Sequence, residues 1–310
     1  MLLENGISME VKSCVPSQSS SSKEKKPTLL FLHGSFHSAW CWTEHFFPYF
    51  CSKGYPVVAI SWRGTGGTFA GEGVKKVKIN EHAQDLKLVL EKLPSLKGLA
   101  GGSSVTKPVA ISHSFGGLAV MKVLENNPEV ASKLSGIVTM CSVPPSGNGP
   151  MTKRYLMRSL IASWRITAGF AMKRCITNAS LCRTLFFGGD KQVREDGTVD
   201  DFGVSDDDIA RYQQYFQRDT EATIDLLDLV KNLPSAKAID GKAPFVDRFP
   251  PCLVIGAKDD YIVDVEGVEE TARYFGLDAP TFVDSPHDVM LGRKWQNAAD
   301  ALDTWISDTL

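Results

Sequence analysis

The stretch "VAISHSFGGLAV", residues 109–120, interrupts an apolar run with two serines and a histidine, then resumes it behind two glycines. A serine hydroxyl is a weak nucleophile at neutral pH unless a base removes its proton, and the base needs an acceptor that holds it in one tautomer. Ser112-x-Ser114-x-Gly116 has the form of a nucleophile elbow, G-x-S-x-G, in which small residues two places either side of the serine let the backbone turn sharply from strand to helix. Ser112 stands where the first glycine is usual and is small enough to serve. Ser114 is therefore the candidate nucleophile. The same residues also suit a plain strand–turn–helix junction with a serine N-cap.

The base follows by elimination among six histidines. His33, His37 and His45 belong to the first strand–helix segment, His82 to the helix before the elbow, and His113 adjoins the nucleophile on a turn that points it elsewhere. His287 remains, in "SPHDVML" after the last strand, and the chain order serine, acid, histidine suits this elbow. No carboxylate lies between residues 130 and 189, so the acid falls to "CLVIGAKDD". Asp260 is favoured because Asp260-Tyr-Ile-Val resembles the D-x-x-V spacing that follows such strands, which leaves Asp259 as an exposed neighbour. An oxyanion formed at Ser114 needs two N–H donors. The backbone amides of Phe115, at the helix start, and of Ser35, in "LHGSFHSAW", are the candidates. "RGTGGT" (63–68) lacks G-x-G-x-x-G spacing and reads as another loop around the pocket. No His/Cys/Asp cluster has metal-ligand spacing, and no cofactor is expected.

Positioning these groups falls to a regular alternation of elements. "TLLFLHG", "YPVVAISWRG", "KPVAIS", "LSGIVTMCS", "PPCLVIGAKDD" and "APTFVDSPH" read as strands with no polar face. Between them "AWCWTEHFFPYFCSKG" is long enough for a helix even with Pro48 inside it, and "INEHAQDLKLVLEKL", "GGLAVMKVLENNP" and "WQNAADALDTWISDTL" read as helices. That pattern predicts an α/β fold, a mostly parallel central sheet with helices on both faces. Ile7, Met9 and Val11 alternate as an edge strand would, and the Ser-rich stretch 16–27 reads as a flexible loop.

From about 147 to 246 the sequence reads as helical only. The expected organisation is a core of residues 1–146 and 247–310 with an inserted helical cap, 147–246, over the carboxyl edge of the sheet, where ligands bind in such folds. Leu156, Leu160, Ile161, Trp164 and Ala168 fall on one helical face, opposite Arg154, Arg158 and Arg165. Phe36 and Trp164 are the candidate pocket walls. The basic first half of the cap is expected to pair with its acidic second half, and peripheral contact with an anionic lipid surface is a further use for it.

Hydrophobic residues at 43% and charged residues at 23% supply a core, and a formal charge of −2 argues against a nucleic-acid partner. No window of 18 uninterrupted apolar residues offers a transmembrane segment. The seven cysteines, odd in number and without a C-x-x-C pair, read as reduced thiols. With no signal-peptide core at the N-terminus, the expectation is an intracellular, soluble protein, cytoplasmic with a plastid address still open. Oligomeric state has no signal.

Together "HGSFHSAWCW", "SHSFGG", "GAKDDYIV" and "PHDVML" resemble the α/β-hydrolase superfamily, over most of the chain apart from the cap. The first motif is similar to the H-G-x-x-H-x-x-W-x-W stretch of plant methylesterases and hydroxynitrile lyases. The resemblance implies a triad of Ser114, Asp260 and His287, an oxyanion hole at Ser35 and Phe115, and a serine hydrolase acting on small-molecule carboxylic esters, and the apolar stripe of the cap points to esters with apolar groups. Ser112, the longer cap and the N-terminal strand with its Ser-rich loop bring the chain nearer to bacterial-type esterases or lysophospholipase-like hydrolases. Two other uses of the fold stay open: a hydroxynitrile lyase, which forms no acyl-enzyme, and a hormone receptor of the strigolactone or gibberellin type.

Overall fold

Apolar runs without a polar face are satisfied only between two layers, and every residue of 29–32, 57–60, 109–113 and 136–140 is buried. The computed structural model describes residues 1–16, 26–96, 106–170, 172–189, 192–193, 199–200 and 204–310. Most of the Ser-rich stretch expected to form a loop lies outside them. One sheet is built from β1 (Val11–Cys14), β2 (Leu29–Leu32), β3 (Val57–Ile60), β4 (Val109–His113), β5 (Gly136–Met140), β6 (Cys252–Asp259) and β7 (Thr281–Pro286). Its order is β1-β3-β2-β4-β5-β6-β7, parallel except for β1, which runs antiparallel along β3 at the edge.

The chain steps from β2 outward to β3 through α1 (Trp40–Thr43) and α2 (Phe46–Ser52), then crosses back to β4 through α3 (Ile79–Lys92). Right-handed crossovers taken in opposite directions put their helices on opposite faces of the sheet. On one face Phe31 of β2 packs against Trp42, Phe46 and Phe50 at ring-centroid distances of 4.8, 5.9 and 6.0 Å. The C-terminal α11 (Trp295–Thr309) joins that face, its Asp303 bonded to Lys53 at 2.9 Å. On the other, α3 packs beside α4 (Phe115–Asn126). Because the connections diverge between β2 and β4, a crevice opens at the carboxyl ends of these two strands.

Between β5 and β6 the chain forms α5 (Asn148–Arg158), α6 (Leu160–Phe170), α7 (Ala179–Phe186), α8 (Asp206–Arg218) and α9 (Leu226–Lys231). This insertion is not purely helical. Thr223–Ile224 pairs with Lys76–Val77, and Gln192–Val193 with Val199–Asp200. Two-residue ladders depend on distant partners and are too short to leave a period in the sequence. After β6, α10 (Val265–Tyr274) leads to β7.

Other expectations are corrected. The aromatic segment after β2 is two helices rather than one interrupted at Pro48: the break falls at Glu44–His45, and Pro48 sits in the first turn of α2, where its missing N–H has no intrahelical partner to lose. Cys14 and Cys51 are joined in a disulfide, so not all seven thiols are reduced. Antiparallel pairing of β1 carries Cys14 to the last turn of α2, a contact across 37 residues that spacing does not reveal. The stripe through 156–168 does not form one inward face, because extended backbone at Ser159 separates α5 from α6. Leu156, Leu160, Ile161 and Trp164 are exposed and only Ala168 is buried. Of the pairing expected between the basic and acidic halves of the insertion, Arg183–Asp206 forms at 2.6 Å, whereas Arg154 and Arg158 pair instead with Asp264 and Glu266 at the start of α10. Among the described residues no helix is long and apolar enough to cross a membrane.

Candidate active site

Ser114 stands at the end of β4 as the N-cap of α4, with φ 51° and ψ −119°. A non-glycine residue rarely adopts positive φ, and the strain persists only where surrounding bonds enforce it. Here the Ser114 N–H donates to Met140 at 3.0 Å, and its carbonyl accepts from Gly117 and Val143 at 3.1 and 3.2 Å. A side chain at Gly116 would bring a Cβ within 2.8 Å of the His33 carbonyl oxygen and 2.9 Å of that of Leu32, so glycine is required for α4 to start this close to β2. Ser112 is fully buried inside β4 and donates to the Val138 carbonyl at 3.2 Å, which explains why a hydroxyl is tolerated two residues before the turn.

His287 follows β7, and its Nε2 lies 3.2 Å from Ser114 Oγ. Its Nδ1 lies 2.9 Å from each oxygen of Asp260. A carboxylate only accepts, so Nδ1 donates to Asp260, which leaves Nε2 as the ring nitrogen that faces the serine hydroxyl. Asp260, just past β6, is held in turn, its Oδ1 accepting from the backbone N–H groups of Ile262 and Val263 at 2.8 and 2.9 Å. Asp259 is the last residue of β6 and is exposed. Cys141 lies beside this carboxylate; burial, reinforced by the nearby negative charge of Asp260, pushes its thiol well above the usual range.

Across the crevice, the turn after β2 carries Ser35. The His33 ring donates from Nδ1 to the Gly34 carbonyl at 2.7 Å and accepts the Trp62 backbone N–H at Nε2, 3.0 Å. Burial lowers its pKa to about 4, consistent with this neutral tautomer. The N–H and C=O of a trans peptide point oppositely, so fixing the Gly34 carbonyl fixes the direction of the Ser35 amide. Phe115 is the first residue of α4, and its N–H has no intrahelical acceptor. Gly34 brings the two sides together: a Cβ there would lie 2.8 Å from that of Ser114.

The structure thus brings Ser114, His287 and Asp260 into one hydrogen-bonded chain, with the Ser35 turn close by. Phe36, at φ 67°, is buried, its ring 6.2 Å from Phe186 of α7 and 6.3 Å from Phe216 of α8. Phe186 also lies 6.3 Å from the His287 ring. Trp164 stands 60% exposed on α6, open to solvent rather than enclosed in a pocket.

A model of the alpha/beta hydrolase family matches residues 29–301. The chain belongs to that family. Over 127 residues this alpha/beta hydrolase is 29% identical to norfluorocurarine synthase 1 of Strychnos nux-vomica, a match covering 41% of this chain and 42% of that protein. Over 112 residues it is 28% identical to methylesterase 1 of Arabidopsis thaliana, covering 36% and 39%. The matched stretch therefore spans about two-fifths of each of these curated relatives. Among solved structures, a thermophilic esterase from Thermogutta terrifontis superposes with a TM-score of 0.62 at 18% identity, over 99% of this chain and 96% of that one. At that identity the likeness is one of fold.

In this alpha/beta hydrolase, elimination from sequence passed over three residues that surround the site. Asp288 is fully buried and bonds His37 Nε2 at 3.0 Å. His113 reaches the His287 carbonyl from Nε2 at 2.9 Å, its ring 4.8 Å from that of His287. Burial, with the neighbouring His287 ring adding to it, lowers the His113 pKa to about 3 and keeps it neutral. The available signal was the second histidine of "HGSFH" and the acid in "PHD". His113, His287 and Asp288 stand close enough to surround a cation, as do Cys141, Asp260 and His287. In each set, however, a ring nitrogen carries a proton toward an oxygen: His113 Nε2 in the first, His287 Nδ1 in the second.

Proposed function

We propose that this protein is a serine hydrolase of carboxylic esters. The observation that carries the reading is the hydrogen-bonded chain from Ser114 Oγ through His287 to Asp260. In this mechanism Oγ attacks the ester carbonyl carbon while His287 Nε2 takes the hydroxyl proton. Asp260 holds the ring and stabilises the imidazolium that forms. The backbone amides of Ser35 and Phe115 donate to the developing oxyanion. Collapse of the tetrahedral intermediate expels the alcohol, protonated by His287, and leaves an acyl-enzyme. Water, deprotonated by the same nitrogen, then releases the acid and restores Ser114. Phe36, Phe186 and Phe216 form an aromatic wall beside the base, which favours esters with apolar groups.

A fluorophosphonate probe with an ester panel tests the reading. The expected result is a label on Ser114, competed by substrate, with faster turnover of medium-chain or bulky apolar esters than of acetates. Cyanohydrin cleavage without ester turnover would move the assignment to a lyase. A folded protein that binds a small molecule but neither hydrolyses esters nor takes the label would move it to a receptor.

A further inference from the structure

The oxyanion turn and the base loop are linked by a second histidine–aspartate pair. His37 Nδ1 faces the Ser35 carbonyl at 2.8 Å and its Nε2 faces Asp288 Oδ2 at 3.0 Å. A carbonyl and a carboxylate are both acceptors, so both ring nitrogens donate and the ring is an imidazolium. The face of Trp40 stacked on the ring at 5.7 Å suits a cation, and Phe216 lies 4.8 Å away at an interplanar angle of 65°. Burial opposes the charge, yet Asp288, joined by the Ser35 carbonyl and the charge of Asp219, raises the His37 pKa, while burial is likewise overcome at Asp288, whose pKa is lowered by His37 together with His113 and His287.

An ion pair this deep adds little net stability over an apolar pair of the same volume. What it adds is direction. Ser35 is held on both sides, through the Gly34 carbonyl by His33 and through its own carbonyl by His37. Asp288 follows His287 in the chain, and its backbone N–H is bonded to the Phe186 carbonyl at 3.0 Å. Resting on the esterase reading above, we propose that the His37–Asp288 pair is a positioning strut: without touching substrate, it sets the Ser35 amide against the His287 loop in the geometry that the transition state requires.

Three proteins test this: wild type, Asp288→Asn, and His37→Phe/Asp288→Leu. Asp288→Asn keeps an acceptor for Nε2–H and removes the charge. The double variant replaces the pair with apolar groups, so it folds without a buried unpaired charge. Both are expected to lose about ten- to hundredfold in kcat with KM within about twofold, because misplacing a donor acts on the transition state rather than on ground-state binding. The double variant is expected to match or exceed wild type in thermal midpoint. Nitrogen-15 NMR of histidine-labelled wild type should show both His37 ring nitrogens protonated at pH 7. A double variant with wild-type kcat overturns the strut, as does a neutral His37 in wild type. If wild type itself neither hydrolyses esters nor takes the probe, the esterase reading fails, while the NMR result still decides the charge of the pair.

Discussion

Two histidine–aspartate pairs stand at one sheet edge, both rings buried to within 1% exposure, and they differ in what each ring has left to do. His287 has a carboxylate at Nδ1 and a hydroxyl at Nε2, a partner that can surrender a proton. His37 has a carbonyl at Nδ1 and a carboxylate at Nε2, and neither can. Residue type and burial do not separate a proton shuttle from a support. The groups facing the two nitrogens do.

The largest effect is expected at the serine that distinguishes the first pair. Ser114→Ala should lower kcat for ester hydrolysis by about 10⁴-fold or more and abolish probe labelling, with the urea midpoint close to wild type. A variant retaining a tenth of the activity would place the nucleophile elsewhere. Next comes the acid. Asp260→Asn should cost about 10⁴-fold in kcat by reversing the His287 tautomer, whereas exposed Asp259→Asn should leave kcat near wild type. The reverse ranking would detach His287 from Asp260 and break the comparison.

A third effect separates charged from neutral imidazoles through pH. His33, His82 and His113 have folded pKa values lowered to about 4, 3 and 3, in each case first by burial. The unfolded chain therefore takes up their protons first as pH falls below about 6.5, and stability drops over that range. His37 has the opposite sign: its contribution is complete below about 6.5 and is lost as pH rises through its elevated folded value. The Asp288 contribution is present above about 3.8 and is lost as pH falls through its lowered value. Urea midpoints should fall between pH 7 and pH 5, and His82→Gln should flatten that limb by on the order of 1 kcal/mol or more. A midpoint that rises toward pH 5 would contradict the neutral assignments. The smallest effect belongs to Ser112→Ala, which loses one buried bond to Val138, worth about 1 kcal/mol, with kcat within about twofold.

The parallel sheet was legible because its strands are apolar on both faces, and Ser114 because the elbow is local, written within six residues. His287 and Asp260 were legible from chain order and spacing. Their meeting depends on β6 and β7 lying side by side, and the choice over Asp259 is explained by the Ile262 and Val263 amides that hold Asp260. The His37–Asp288 pair spans 251 residues, and elimination set His37 aside because it belonged to another segment. Trp164 is expected over the site from where the insertion enters the sheet and from an apolar stripe at helical spacing, and extended backbone at Ser159 breaks that stripe and leaves Trp164 exposed. Long-range pairings and helix breaks without proline leave little local pattern.

The Cys14–Cys51 link also governs what a cut in the chain would do. It closes a ring that contains β2 and most of the α1–α2 segment. A single cleavage of any peptide bond inside that ring opens it without separating the fragments. The N-terminal piece, with its edge strand, stays covalently attached, and the nicked protein runs at full mass on a denaturing gel until a reductant splits it in two.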